Sequence, residues 1–175
     1  MVVANHDPTR ILAICIRFQL MGLAVVAPHD IVEVRRTRVP VSSDPEIRIK
    51  MIRVIGKLAS DYQIATAVVE PGSTVAAWLE GTDVNVRPVS MNIVMRTVGS
   101  ASARKIKYAD LFDHLVRQHP KLDRLVTRLP ATGEIARTER WRVPIMLAVA
   151  LGLAAFADET RADAQANQQP QHRNL

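Results

Sequence analysis

The chain has 175 residues, 48% of them hydrophobic, with 23 lysines and arginines against 17 acids and a formal charge of +6. This length and apolar content suffice for one full core, and a single cysteine excludes both a disulfide framework and a multi-cysteine zinc centre. The positive balance favours a polyanionic partner, while an aromatic content of 4% argues against a surface of rings that tracks a single strand.

Residues 1–9 read as a short polar lead. The first apolar run begins at Ile11 behind one nearby arginine and has no small-residue cleavage pattern, so no secretory leader is expected there. Strands are predicted over about 10–18 and 21–27, with Gly22 suited to a close backbone approach. Residues 30–39 alternate apolar and polar, which predicts a third, partly exposed strand that ends before Pro40. Ser43-Asp44-Pro45-Glu46 then starts a helix that runs to about Asp61, with Ile47, Met51, Val54 and Leu58 on one face and Arg48, Lys50, Arg53 and Lys57 on a solvated one.

Residues 64–70 read as a buried strand that ends in Glu70, so that helix and strand together make a crossover in a mixed sheet. A short helix is predicted over Ser73 to Glu80, and a brief strand over Val84 to Pro88. Residues 91–103 read as a flexible basic connection. Its Gly99, Ser100 and Ser102 lack the Gly-Lys-Ser/Thr pattern of a phosphate-binding loop. Helices follow over about 103–119, 121–129 and 139–158. The run from Val143 to Ala157 contains Pro144 and Gly152 and falls short of the roughly 20 residues that a membrane span needs. It is expected as a buried helix of a cytoplasmic protein with no membrane partner. Residues 159–175, rich in Gln, Asn and Asp, read as a disordered tail. The expected order is βββαβαβαα, in one domain over 10–158.

In the stretch Ile11-Leu12-Ala13-Ile14-Cys15-Ile16-Arg17-Phe18-Gln19-Leu20-Met21-Gly22-Leu23-Ala24-Val25-Val26, two apolar runs flank a lone glycine. It resembles the first hairpin of the RuvC-type Holliday-junction resolvases of the ribonuclease H-like superfamily. Val68-Val69-Glu70 is similar to that family's strand ending in a catalytic glutamate. Val84 to Pro88 and Arg96 to Lys105 resemble its short Pro-closed strand and basic connection. Ile145-Met146-Leu147-Ala148-Val149-Ala150-Leu151 echoes its last helix. The resemblance covers about residues 10–157. It implies an α/β fold with a mixed five-stranded sheet flanked by helices, and a homodimer that presents two sites to a junction. The ATP-binding branch of the same architecture needs glycine-rich phosphate loops, and Arg17 to Leu20 contains no glycine.

The chemistry implied by the resemblance is phosphodiester hydrolysis by two Mg²⁺ ions held by four carboxylates. At the four positions this chain has Cys15, Glu70, Arg142 and Ile145. A thiol is a poor ligand for hard Mg²⁺, Ile145 cannot ligate, and Arg142 brings a positive charge. Only Glu70 keeps the expected acid, paired on the simplest view with Arg17 or Arg142. No catalytic set is intact, and no cofactor is expected; Mg²⁺ would enter only if other acids, among Asp83, Asp110, Asp113 and Asp123, rebuilt a site. Cys15 reads as a small buried hydrophobe, and His114 and His119, five apart, miss the spacing of a helical metal pair.

Three functions follow in order of preference. The first is an inactive nuclease relative that binds duplex or branched DNA through Arg35, Arg36, Arg38, Arg96, Arg104, Lys105 and Lys107, converging on one face. The second is a scaffold that keeps the fold to bind partner proteins, with those residues scattered. The third is a metal-dependent junction endonuclease with relocated acids. Trp78 and Trp141 are read first as core residues, with dimer contacts as the alternative.

Overall fold

A computed structural model describes residues 9–40, 44–99, 108–129 and 139–167. Three strands, β1 (Ile11–Arg17), β2 (Leu20–Ala27) and β3 (Asp30–Arg38), form an antiparallel meander. Helix α1 (Pro45–Asp61) crosses over to β4 (Thr66–Val69), which runs parallel to β1. After α2 (Thr74–Leu79), β5 (Asn85–Pro88) adds parallel to β4. The five-stranded mixed sheet has the order β3-β2-β1-β4-β5. Helices α3 (Met91–Val98), α4 (Tyr108–Gln118) and α5 (Lys121–Thr127) follow. A single 3-10 turn (Glu139–Trp141) then leads into α6 (Val143–Asn167).

The sheet is covered on both faces, which is why β1 and β2 read as near-continuous apolar runs. On one face Leu12, Ile14, Leu23 and Val25 pack with Met51, Ile55 and Leu58 of α1 and with Val75 and Leu79 of α2. On the other, Ala13, Cys15, Ala24, Val26 and Val68 pack under α6, joined by Val94 and Val98 of α3 and by Leu111 and Leu115 of α4. Helix α6 is buried nearly all round from Pro144 to Gly152. Its close seat on the sheet depends on two glycines. A Cβ on Gly22 would lie 2.3 Å from the Pro144 carbonyl carbon and oxygen and 2.5 Å from the Ile145 nitrogen, and one on Gly152 would lie 2.7 Å from Val26 Cγ2. Among the described residues no helix is long and apolar enough to cross a membrane.

The start of α1 is as the sequence predicts: the Asp44 carboxylate caps it by accepting from the Glu46 amide at 2.9 Å, with Pro45 in the first turn. Its buried stripe is Met51, Ile55, Leu58 and Ala59, rotated from the predicted one, with Ile47 and Val54 only half-buried. Three other differences have local causes. Residues 91–98 are helix, because Met91, Val94, Met95 and Val98 sit at spacings of three and four, and the Gly and Ser residues that suggested a connection come only after them. Among the described residues four helices follow β5 where three are predicted and the expected order writes two; the addition is α3, which fills the supposed connection, while the division of α4 from α5 at Pro120 is as predicted. Helix α6 continues past Asp158 to Asn167, through a polar stretch rich in Ala, with Glu, Arg and Gln and without Gly or Pro; its polarity suggested disorder, while its residues favour helix.

Candidate functional site

The register of the sheet assembles the four positions that the resemblance marks. Ala13 pairs with Val68 across the parallel β1 and β4, so two residues further along Cys15 stands beside Glu70. Cys15 pairs with Gly22, and Gly22 lies under the first turn of α6, where Ile145 enters. Cys15 is 2% exposed and Ile145 fully buried, both in the apolar cluster beneath α6. The Cys15 thiol donates to Glu70 Oε2 at 3.6 Å. Burial pushes this thiol up to about 12, with Glu70 adding to the rise and Arg17 opposing it. A thiol in that state is a small neutral core group, and its soft sulfur is a poor match for hard Mg²⁺.

Glu70, at the open end of β4, is held by Arg17. The guanidinium donates from Nη2 to Oε1 at 2.8 Å, and Nη1 lies 2.6 Å from Oε2, a two-pronged contact that occupies both carboxylate oxygens. Of the two bases expected beside Glu70, Arg17 makes the ion pair. Arg142 turns instead onto aromatic rings, 4.9 Å from the centroid of Phe112 and 5.2 Å from that of Trp141, and its buried Nε has no hydrogen-bond partner among the described residues. One carboxylate engaged by arginine, one neutral thiol, one isoleucine and one arginine do not fit a pair of Mg²⁺ ions. Among the described residues no group of three His, Cys, Asp or Glu could hold a metal ion. Asp83, Asp110, Asp113 and Asp123 are all exposed.

Around this floor lies a rim of cations and rings. Arg36 pairs with Gly22 across β2 and β3, and its guanidinium lies 5.0 Å from the Trp141 ring, so that Trp141 is contacted by both Arg36 and Arg142. Arg38, exposed and on the same face as Arg36, pairs with Leu20 beside the β1–β2 turn. That turn is two residues long, and both Phe18 and Gln19 have positive φ, 52° and 60°. A two-residue hairpin of this handedness is the habitat of Asn-Gly, and side chains as large as these cost about 1 kcal/mol or more per residue there. Phe18 is 57% exposed, with the Arg140 guanidinium 5.5 Å from its ring centroid.

The predicted basic residues divide accordingly. Arg36 and Arg38 join the rim. Arg35 projects to the opposite face, near Tyr62 at the end of α1, because successive strand residues alternate. Arg96 is exposed on α3, and Arg104, Lys105 and Lys107 lie outside the described residues, as do Ser100 and Ser102. Arg140 and Phe18 went unremarked in the sequence. The signals available were the Arg-Trp-Arg cluster ahead of α6 and a Phe-Gln pair in so tight a turn. Trp141 is buried, at 7% exposure, and Trp78 half-buried. His114 is half-buried and donates from Nε2 to the Val98 carbonyl at 2.7 Å, tying α4 to α3. His119, also half-buried, has its pKa lowered by burial, against the pull of Asp30.

Comparison with known proteins bears on this arrangement at the level of structure. No protein-family model and no curated protein matches the sequence. RuvC of Thermus thermophilus superposes with a TM-score of 0.58 at 11% identity, over 87% of this chain and 96% of that one. This is the ribonuclease H-like fold. The same fold is shared with T. thermophilus RuvC in complex with Holliday junction substrate, with a TM-score of 0.56 at 10% identity over 86% of this chain and 96% of that one. Fowlpox virus resolvase, in a complex with substrate Holliday junction DNA, gives 0.50 at 9% identity over 86% and 98%. At such identities the ribonuclease H-like likeness is one of fold, and the chemistry must be argued from the site itself.

Proposed function

We propose that this chain binds duplex or branched DNA through the rim of the candidate site and does not cut it. The observation that carries this reading is the Arg17–Glu70 pair, which engages both oxygens of the one remaining acid while Cys15 and Ile145 are buried as core. A nuclease of the metal-dependent type needs anionic groups that gather cations at the scissile phosphate. Here the site itself is cationic: Arg36, Arg38, Arg140 and Arg142 surround it, and fixed guanidinium groups attract a phosphate backbone directly. Two of the structural neighbours are complexes with Holliday junction DNA, which supports branched DNA as the nucleic acid to test. No Mg²⁺ is required in this reading.

The test is binding and cleavage of a synthetic four-way junction and a matched duplex by the purified protein, with Mg²⁺ or Mn²⁺ and without, over a salt series. The expected outcome is binding without cutting, indifferent to the metal, with the logarithm of affinity falling linearly in log salt. Replacing Arg36, Arg38 and Arg140 together by Ala should weaken binding and lower the salt slope by about one for each phosphate that is no longer neutralised. Metal-dependent cutting would overturn the reading.

A further inference from the structure

Phe18 is out of keeping with the rest of the molecule. Among the described residues, large apolar side chains are buried or half-buried apart from Phe18, Ile49 and Ile93, and Phe18 is the most exposed of the three. It sits at the outer corner of a hairpin whose two turn residues both hold positive φ. A bulky side chain in that conformation is a genuine outlier. The turn is also firmly anchored: Arg17 and Leu20 pair directly across it, and the Val39 amide donates to the Gln19 carbonyl at 2.8 Å. Such a turn fixes where the ring stands. Beside it are Arg140, over its face, Arg38, and the Arg17–Glu70 pair.

From these observations we infer that Phe18, with Arg140 beside it, is a stacking step that caps an exposed base-pair face where duplex stacking is interrupted, at a branch point or a duplex end. The inference rests on the nucleic-acid reading given above and names what the rim recognises within it. A single ring offers one stacking surface, which suits a break in stacking and not the tracking of a strand. Arg140 over the ring and Arg38 at the neighbouring strand end supply contacts to the backbones that diverge from such a break. An intact duplex interior presents no free base face, so the ring should contribute selectivity for breaks over continuous duplex.

The experiment places 2-aminopurine at the branch point of a four-way junction, or in the interior of a matched duplex, and reads fluorescence and affinity for the wild type, Phe18→Gly, Phe18→Ala and Phe18→Trp. The wild type should change the branch-point signal and leave the duplex-interior signal unaltered. Phe18→Ala and Phe18→Gly should abolish that change and weaken junction binding about tenfold, with duplex binding kept within about twofold. Phe18→Trp should preserve both. Phe18→Gly should also raise the unfolding temperature, because glycine accepts positive φ freely; a gain in stability with a loss of junction binding cannot come from misfolding. Unchanged junction affinity and signal in Phe18→Gly would overturn the inference and leave the nucleic-acid reading standing. A wild-type protein that binds neither DNA would overturn both.

Discussion

Cys15, Gly22 and Ile145 at the floor of the candidate site are packed as core, whereas Phe18 at the β1–β2 turn, Arg38 at the end of β3 and Arg140 ahead of α6, on its rim, stand in solvent. The floor is governed by volume: Cys15 fills space, Gly22 lets α6 touch the sheet, and Ile145 closes the gap between them. The rim is governed by charge and orientation, with guanidinium groups laid on Trp141, Phe112 and Phe18. Where the resemblance implies acids and metal ions, this chain separates the two jobs that acids would have joined. Its floor holds the fold and its rim carries the cations, so the two should respond separately to substitution.

The largest effect is expected at the floor. Gly22→Ala puts a methyl group 2.3 Å from backbone atoms of Pro144, which cannot yield unless the first turn of α6 lifts from the sheet. A loss of about 3 kcal/mol or more is expected from urea unfolding, in the range of severe overpacking. Because Trp141 and Arg142 lie just ahead of that turn, the variant should also disturb the stack with Arg36. A loss below about 1 kcal/mol would mean that floor and rim are less rigidly joined than the geometry shows.

A second effect separates the floor from the rim by pH. The Cys15 thiol, ordinarily at 9.0, is raised to about 12 in the fold. The unfolded chain releases this proton above pH 9 while the folded chain keeps it. The contribution is therefore complete below pH 9 and is lost as pH rises toward 12, by up to about 1.4 kcal/mol per pH unit. Urea unfolding from pH 8 to 10.5 should show this decline in the wild type, and the decline should be shallower in Cys15→Ala. A thiol-labelling reagent at pH 8 should leave native Cys15 unmodified and react once the chain unfolds. Equal slopes for the two proteins would place Cys15 in a wetter setting than its 2% exposure allows.

The same division decides what was legible in the sequence. Strands β1 to β3, the α1 cap and the close approach at Gly22 follow from local patterns: apolar runs and alternation, a capping side chain, a lone glycine between apolar runs. An arginine partner for Glu70, 53 residues away at Arg17, follows only from the resemblance that sets the two strands together. The mixed five-stranded sheet follows from the crossover between β3 and β4 together with the resemblance. The rim was hidden because it joins Phe18 in the first hairpin to Arg140 ahead of the last helix, and no periodicity links residues so distant. Arg35 was grouped with Arg36 and Arg38 by adjacency, whereas a strand sends neighbours to opposite faces. Helix α3 and the end of α6 were obscured by composition, Ser and Gly after the one and polar residues within the other, although the spacing in both is compatible with helix.

The smallest effect on stability, and the most discriminating, lies where floor meets rim. Glu70→Gln removes the acid that engages Arg17 while keeping its shape. The two side chains are 22% and 32% exposed, so the pair is only partly screened, and a loss of about 1 kcal/mol or less is expected. Under the nucleic-acid reading its consequence for binding has the opposite sign. Arg17 is released beside Arg38 and the Phe18 turn, one negative charge leaves the phosphate-facing surface, and junction affinity at low salt should rise several-fold, with a steeper salt slope. A gain in affinity with a small loss of stability would mark Glu70 as a brake on a cationic surface. A loss of affinity in the variant, together with a gain on adding Mg²⁺ that the wild type shows and the variant lacks, would instead mean that Glu70 still serves a metal and that the rim is not independent of the floor.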